Sequence, residues 1–499
     1  MSSELMKQMN IFFEPESVAV IGASRKIHKA GYVIFKNFAE NKRRGIFKGE
    51  LYPVNPKEEY ILGFKCYPSL SEIPGKVDLI VLVVPALVVP SIMREAAAKR
   101  VKAAVIITAG FSEIGNYELE KEVAEIAKKA GIRVLGPNCL GVYDSRTGVD
   151  MLFLPETKIL STGDEMVATP RPMAGNISIV TQSGAFGASA LDFLTGRQLG
   201  VSKFVSFGNK CDVNEAEMLE YLLYDDHTHV ILLYVEGIRE GRKFMEAARK
   251  VTRVKPVVAL KTGRTSAGAR AAASHTGSIA GTDSIYEAAF RQCGVIRARG
   301  MEEFFDIGKA LAYQPPARGN VIGVITDAGG PGIMAVDECE SIGLNVKKFS
   351  EETIQKFENL KMEGKIPKFA TNLNPVDLTG SATSEMFEIA TKILLEDPEI
   401  NGIIILGLHH LPALMEDFID RIANLVKGYE KPVVACDIGE TEMAMYIRAR
   451  FDKYGIPAYG SPEDAARAMH ALVRYGKYLQ KCGCFDEYME AFYKRKGIK

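Results

Sequence analysis

The chain has 499 residues, 47% hydrophobic and 25% charged, a length suited to roughly three domains and a composition typical of globular proteins. With 62 Lys+Arg against 62 Asp+Glu the formal net charge is zero, which removes the electrostatic case for nucleic acid or a membrane surface as partner. No apolar run is long enough to span a bilayer, Met-Ser-Ser-Glu-Leu-Met-Lys lacks a signal-type core, and eight scattered cysteines offer no zinc pattern, so a cytoplasmic protein with reduced thiols and no metal is expected.

Short apolar runs alternate with amphipathic helical segments throughout, which argues for parallel sheets in α/β domains. In the first block strands are predicted over 17–22, 51–54, 78–84, 103–108 and 133–135, with a helix over 89–100. The segment 144–175, rich in Thr, Pro and Gly, reads as a long connection. The second block has strand candidates at 177–180, 204–207, 230–235 and 257–260. Adjacent prolines at Pro315 and Pro316 mark a linker over 313–320. The third block has strands over 321–326, 344–347, 402–406 and 433–436. One last helix from about 462 to 479 precedes a charged tail. The domains expected are 1–145, 146–312 and 321–485, with the tail at 486–499.

In the first block, the strand ending at Ile21 runs into Gly22-Ala23-Ser24-Arg25, a small-residue turn. A helix start behind such a turn offers free N–H groups to a phosphate. The G-x-G-x-x-G of dinucleotide sites is absent, and the second strand ends at Asn55-Pro56-Lys57 without the acidic residue that holds a ribose diol. Lys57 suits a phosphorylated ribose, as in CoA or NADP, or it is a solvated surface lysine. Three more strand ends carry loop residues: Val84-Pro85, Thr108-Ala109-Gly110 and Pro137-Asn138. In open α/β sheets such loops line one crevice.

The second and third blocks repeat one design. Thr181-Gln182-Ser183-Gly184 and Thr326-Asp327-Ala328-Gly329-Gly330 each place a tight turn between strand and helix. Two such helix starts converging on one site would bind phosphate without a metal. Taken singly, each is a turn that needs glycine for its geometry. His275 lies in Ala-Ser-His-Thr-Gly-Ser, after the loop-like run 261–273. A histidine on a mobile loop can serve two sites as a phosphoryl carrier; the alternative is an ordinary loop histidine. Glu236, at the end of strand 230–235, is placed to fix the imidazole tautomer, with Asp212 as a second candidate. His409-His410 reads as a surface turn.

Together SVAVIGAS, YPVNPK, ITAGFSE, GPNCLG, TQSGAFG, SFGNKCDV, YVEGI, KTGRT…ASHTGS and DAGGPG cover nearly the whole chain. In these motifs it resembles the alpha subunit of NDP-forming acyl-CoA synthetases of the archaeal ADP-forming acetyl-CoA synthetase type, relatives of succinyl-CoA synthetase. The resemblance implies an α/β protein with an N-terminal Rossmann-like CoA-binding domain followed by two flavodoxin-like ligase domains. It implies His275 as the phosphohistidine and Glu236 as its partner. CoA is expected against Gly22, Ala23, Ser24, Arg25, Lys57, Val84, Pro85, Thr108, Ala109, Gly110 and Asn138. Phosphate is expected at Gln182, Ser183, Gly184, Gly329 and Gly330. No ATP-grasp module follows Pro462, so the resemblance implies that a separate ATP-grasp beta subunit supplies ADP/ATP and Mg, commonly as α2β2, with a small carboxylate or acyl-CoA as substrate. The competing classes are a non-catalytic CoA-binding regulatory module and an NADP-dependent oxidoreductase.

Overall fold

The computed structural model describes residues 2–270 and 282–497. It divides into two compact units, Met1–Arg297 and Ala298–Lys499.

The first unit holds two main sheets. The first sheet is built from β1 (Ser17–Ile21), β2 (Glu50–Val54), β5 (Leu79–Leu82), β6 (Ala103–Ile106) and β7 (Arg133–Leu135), in the order β2-β1-β5-β6-β7. All its pairings are parallel. Its central strands read as unbroken apolar runs because helices cover both faces. On one face Val18, Val20, Leu79 and Val81 pack in a core with Phe35 and Phe38 of the helix Ala30–Arg43. On the other, Ala19, Ile80 and Leu82 share a core with Ile92 and Met93 of the helix Val89–Ala98. The chain leaves β1 toward β2 on one side, while β5 lies on the other. The carboxyl ends of β1 and β5 therefore flank the point where strand order reverses, which is where open α/β sheets bind ligands. A small hairpin, β3 (Tyr60–Ile61) with β4 (Phe64–Lys65), follows β2.

The second sheet has the order β16-β15-β14-β12-β13-β8-β9. Its parallel strands are β12 (Ala174–Thr181), β13 (Val201–Ser206), β14 (Val230–Val235) and β15 (Val257–Lys261), with β16 (Ile296–Ala298) at one edge. At the opposite edge β8 (Gly141–Asp144) and β9 (Val149–Asp150) add in antiparallel fashion. Neither strand was expected from the residue pattern; both lie around the start of the expected 144–175 connection. That connection also forms a separate hairpin of β10 (Thr157–Ile159) and β11 (Glu165–Val167).

In the second unit the sheet order is β18-β17-β19-β20-β21, all parallel. Its strands are β17 (Ile322–Thr326), β18 (Val376–Asp377), β19 (Gly402–Leu406), β20 (Val433–Cys436) and β21 (Ala458–Tyr459). Two expectations are corrected here. Residues 344–347 do not form a strand; Asn345 makes one isolated bridge to Val321. The helix Met301–Tyr313 packs within this unit: Tyr459 Oη donates to the carbonyl of Asp306 at 2.8 Å, and Lys309 Nζ pairs with Asp452 at 3.2 Å. The expected charged tail is a helix, Phe485–Lys496, because Phe485, Tyr488, Met489, Phe492 and Tyr493 recur at helical spacing and are all buried. Tyr488 meets Tyr475 edge-on at 5.2 Å. Among the described residues no helix is long and apolar enough to cross a membrane.

Candidate active site

The crevice of the first sheet is floored by main chain. Gly22 adopts φ +90, and a Cβ there would lie 2.2 Å from the carbonyl oxygen of Val83, so only glycine fits. The helix behind the turn begins at Ala30 rather than directly after Ser24, yet it reaches the turn: a Cβ on Gly31 would meet the carbonyl oxygen of Gly22 at 2.1 Å. Gly31 thus does for helix–strand contact what the last glycine of a dinucleotide fingerprint does. Among the described residues no side chain caps this helix start; the Tyr32 N–H donates to the Lys29 carbonyl at 2.9 Å, which leaves the N–H groups of Ala30 and Gly31 for a ligand.

Around this floor the expected residues converge. Asn55 Nδ2 donates to the Ala23 carbonyl at 2.7 Å, and its Oδ1 accepts the Lys57 N–H at 2.9 Å, which ties the end of β2 to the first turn. Lys57 is exposed there. Arg25 pairs with Glu58 at 3.5 Å, and Ser24 Oγ accepts the Lys26 N–H at 3.0 Å. Thr108 Oγ1 donates to the Val84 carbonyl at 2.8 Å, holding the ends of β5 and β6 together beside Pro85. The next residues, Ala109 and Gly110 (φ +113), form a turn whose Gly110 and Phe111 N–H groups both donate to the Glu113 carboxylate. Burial opposes ionisation of Glu113, but hydrogen bonds from Asn209 and from the Gly110 N–H hold its carboxyl below the ordinary range. Asn138 (φ +57) turns its side chain to Asn209, with Nδ2 3.3 Å from Oδ1.

At the carboxyl edge of the second sheet, Ser183 caps the helix Gly184–Gly196: its Oγ accepts the Phe186 N–H at 3.2 Å. The Ser183 N–H is itself taken by Thr181 Oγ1 at 3.1 Å. Phe186, in the first turn, stacks on Tyr234 at 4.2 Å, and Tyr234 Oη lies 3.4 Å from Glu236 Oε1. The helix start and the buried Glu236 are thereby brought together. Gln182 was expected at phosphate. Its amide serves the backbone instead: Oε1 accepts the N–H groups of Glu236 (2.5 Å) and Gly237 (3.0 Å), and Nε2 donates to the Gly237 carbonyl (2.6 Å). Asp212 is not near this role; it accepts the Val134 N–H at 2.8 Å and pairs with Arg133 at 2.9 Å.

His275 lies outside the described residues. The chain leading to it leaves β15 at Lys261, the register partner of Val235, one residue before Glu236. The run after β15 is not all loop, since residues 266–270 are helical.

The second unit carries the same strand–turn–helix device. Thr326 Oγ1 accepts the Ala328 N–H at 3.0 Å, as Thr181 does for Ser183. A Cβ on Gly332 would press on Thr326 Cγ2 at 2.8 Å, as one on Gly187 would on Thr181 Cγ2 at 3.0 Å. Asp327 stands where Gln182 does, and its Oδ2 accepts the Leu408 N–H at 2.8 Å. Here the helix starting at Gly329 and Gly330 has no side-chain cap, and Asp377 Oδ2 would lie 3.1 Å from a Cβ on Gly329. Among the described residues Asp327 Oδ1 is buried without a hydrogen-bond partner, and burial pushes its carboxyl up to about 7. His409 and His410 form the expected turn, with His410 exposed and the His409 ring turned inward: that ring is 8% exposed, its Nδ1 sits 2.9 Å from Asp437 Oδ1, and it lies 3.9 Å from the His410 ring at a tilt of 32°.

Three family models match the chain: a CoA binding domain over 16–145, a succinyl-CoA ligase like flavodoxin domain over 174–311 and a ligase-CoA domain over 321–478. These define a CoA-dependent ligase of the succinyl-CoA synthetase type. Among relatives, the acetate–CoA ligase [ADP-forming] II subunit alpha of Pyrococcus furiosus is 40% identical, with 94% of this chain and 98% of that one aligned. The acetate–CoA ligase [ADP-forming] of Methanocaldococcus jannaschii is also 40% identical over 95% of this chain, which spans 64% of that protein. Among solved structures, the acetyl-coenzyme A synthetase 1 of Ca. Korarchaeum cryptofilum in complex with phosphate and ADP aligns with a TM-score of 0.85 and 35% identity, covering 95% of this chain and 98% of that one. The chain belongs to the family of ADP-forming acyl-CoA synthetases.

Proposed function

We propose that this chain is the alpha subunit of an enzyme interconverting acyl-CoA, ADP and phosphate with carboxylate, CoA and ATP. The observation that carries this reading is the joint placement, in one unit, of a crevice floored by backbone and a buried glutamate beside a helix start. Gly22, Ala23, Ser24, Val84, Pro85 and the 108–110 loop hold CoA, and Lys57 faces its 3′-phosphate. Phosphate attacks the thioester carbonyl: the new P–O–C bond gives an acyl phosphate, and the C–S bond breaks to release CoA. The imidazole of His275 then takes the phosphoryl group from the acyl phosphate, releasing the carboxylate. Glu236 accepts a hydrogen bond from one ring nitrogen and leaves the other as nucleophile. The N–H groups at the start of the helix Gly184–Gly196 balance the charge on the phosphoryl oxygens.

ADP then receives the phosphoryl group on a separate ATP-grasp beta subunit, which also holds Mg, in an α2β2 assembly in the cytoplasm. Among the described residues of this chain no group of three or more His, Cys, Asp or Glu is placed to hold a metal ion. The test is co-expression with that partner and replacement of His275 by Ala. The expected result is loss of both the radiolabelled phosphoenzyme and ATP synthesis, with CoA binding retained. Normal ATP synthesis by the variant refutes the mechanism. A wild-type chain that binds CoA but never becomes phosphorylated indicates a regulatory CoA-binding module.

A further inference from the structure

The motif Ser206-Phe-Gly-Asn-Lys-Cys-Asp212 has no task in the reaction above, yet it lies between that reaction's two halves. After β13 the chain runs alongside the 134–138 segment: Asn209 N–H donates to the Pro137 carbonyl at 2.9 Å, Cys211 N–H to Gly136 at 3.0 Å and Val213 N–H to Val134 at 3.1 Å. The approach is close enough that a Cβ on Gly208 (φ +57) would lie 2.2 Å from the Pro137 oxygen and 2.3 Å from that of Asn138. This turn is therefore fixed in place by main-chain contacts.

Two consecutive side chains leave the turn for different sites. Asn209 Nδ2 donates to Glu113 Oε2 at 2.6 Å and to Glu120 Oε2 at 2.8 Å. Glu113 accepts the Gly110 and Phe111 N–H groups, and Glu120 accepts that of Ser112 at 3.2 Å. One amide thus fixes both carboxylates that shape the loop after β6. Lys210 points elsewhere. Its Nζ donates to the Gly237 carbonyl at 2.7 Å and pairs with Glu215 at 3.1 Å, and the two side chains are 7% and 3% exposed. With Gln182 on the same peptide, the turn after Glu236 is held from two sides. Lys210 does this from φ +59, a left-handed backbone that is unfavourable for a lysine. Burial also lowers its tendency to hold a proton, which Glu215 opposes.

We propose that Asn209 and Lys210 are positioning residues forming one brace, which locks the 109–111 loop to the Glu236–Gly237 turn so that the end of bound CoA and the phosphoryl-accepting site keep a fixed register. This rests on the assignment of CoA to that loop and of Glu236 to the histidine. The physical point is that transfer between two separately loaded groups is sensitive to about 1 Å of misplacement, worth about a hundredfold in rate. A rigid link of two adjacent residues removes that slack without touching either ligand.

The first readout needs no turnover. Hydrogen exchange is followed in peptides covering residues 234–239, with and without saturating CoA, in the wild type and in Asn209→Ala. CoA is expected to slow exchange there in the wild type and to have no such effect in Asn209→Ala, although the variant still binds CoA. Equal protection in both overturns the brace. The second readout uses the alpha chain with its ATP-grasp partner in the acyl-CoA direction. Asn209→Ala and Lys210→Met are each expected to lower kcat about tenfold to a hundredfold, and the double variant to be little worse than either, since neighbours acting as a unit are non-additive. Losses that simply multiply show two independent loops and overturn the proposal. If Lys210→Met does not fold, Lys210→Arg keeps the charge, displaces the donor and is read in the same way. A wild type with normal CoA protection but no phosphoenzyme refutes the proposed reaction while leaving the brace standing.

Discussion

Gln182 separates two accounts of the second sheet's edge. If its amide holds the turn after Glu236, replacing it with methionine, of similar length, strands the N–H groups of Glu236 and Gly237, bonded now at 2.5 and 3.0 Å. The Gly237 carbonyl keeps Lys210 at 2.7 Å, so losing the Gln182 donor there is minor. An unpaired buried N–H costs about 1–3 kcal/mol, and two in this half-buried place give about 2–4 kcal/mol. With no tryptophan in the chain, urea unfolding is best followed by far-UV circular dichroism. The relevant transition is the one that CoA moves to higher urea, because a ligand stabilises only the unit that binds it. Gln182→Met should lower that transition by the stated amount and reduce kcat, while KM for phosphate stays near the wild-type value. The opposite pattern, an unchanged transition with KM for phosphate raised tenfold or more and kcat intact, makes Gln182 an anion ligand and refutes the reasoning.

Two further outcomes are expected. Lys57→Ala should weaken CoA binding about tenfold, the loss of one charge-assisted contact, and leave dephospho-CoA unaffected in calorimetric titration; equal losses for both ligands mean that Lys57 does not face the 3′-phosphate. Asp327, with its carboxyl raised from 3.8 to about 7 by burial, favours the protonated form in the folded state. Its contribution is therefore full below about pH 4 and lost as pH rises through about 7. The second unit's urea midpoint should fall between pH 5 and pH 8, Asp327→Asn should flatten that fall, and identical slopes in the two proteins contradict the assignment.

Much of this architecture was legible in the sequence because parallel strands covered on both faces appear as bare apolar runs. The strands 133–135, 230–235, 402–406 and 433–436 have the bounds expected of them. What escaped was edge and surface structure. β8 and β9 are too short to show a period, and the 344–347 run was apolar enough for a strand but found only one bridge. The helix Phe485–Lys496 was hidden by its charge, although Phe485, Tyr488 and Phe492 carry the spacing. At the site, residue types announced Gly22, Glu236 and the two Thr-x-x-Gly turns. They did not announce partners. That Gln182 serves a backbone turn, that Asp212 belongs to Arg133, and that Asn209 and Lys210 reach opposite ways all depend on contacts between residues far apart in the chain.

The floor of the first crevice owes its shape to backbone alone. Where Gly22 meets the carbonyl of Val83, and Gly31 that of Gly22, main chain touches main chain and no side chain intervenes. Such a surface has nothing to vary except by abandoning glycine altogether. Drift in the surrounding residues can alter every side-chain contact above it and leave the shape of the floor unchanged. In the proposed reaction, that floor would present CoA with the same shape whichever acid is activated.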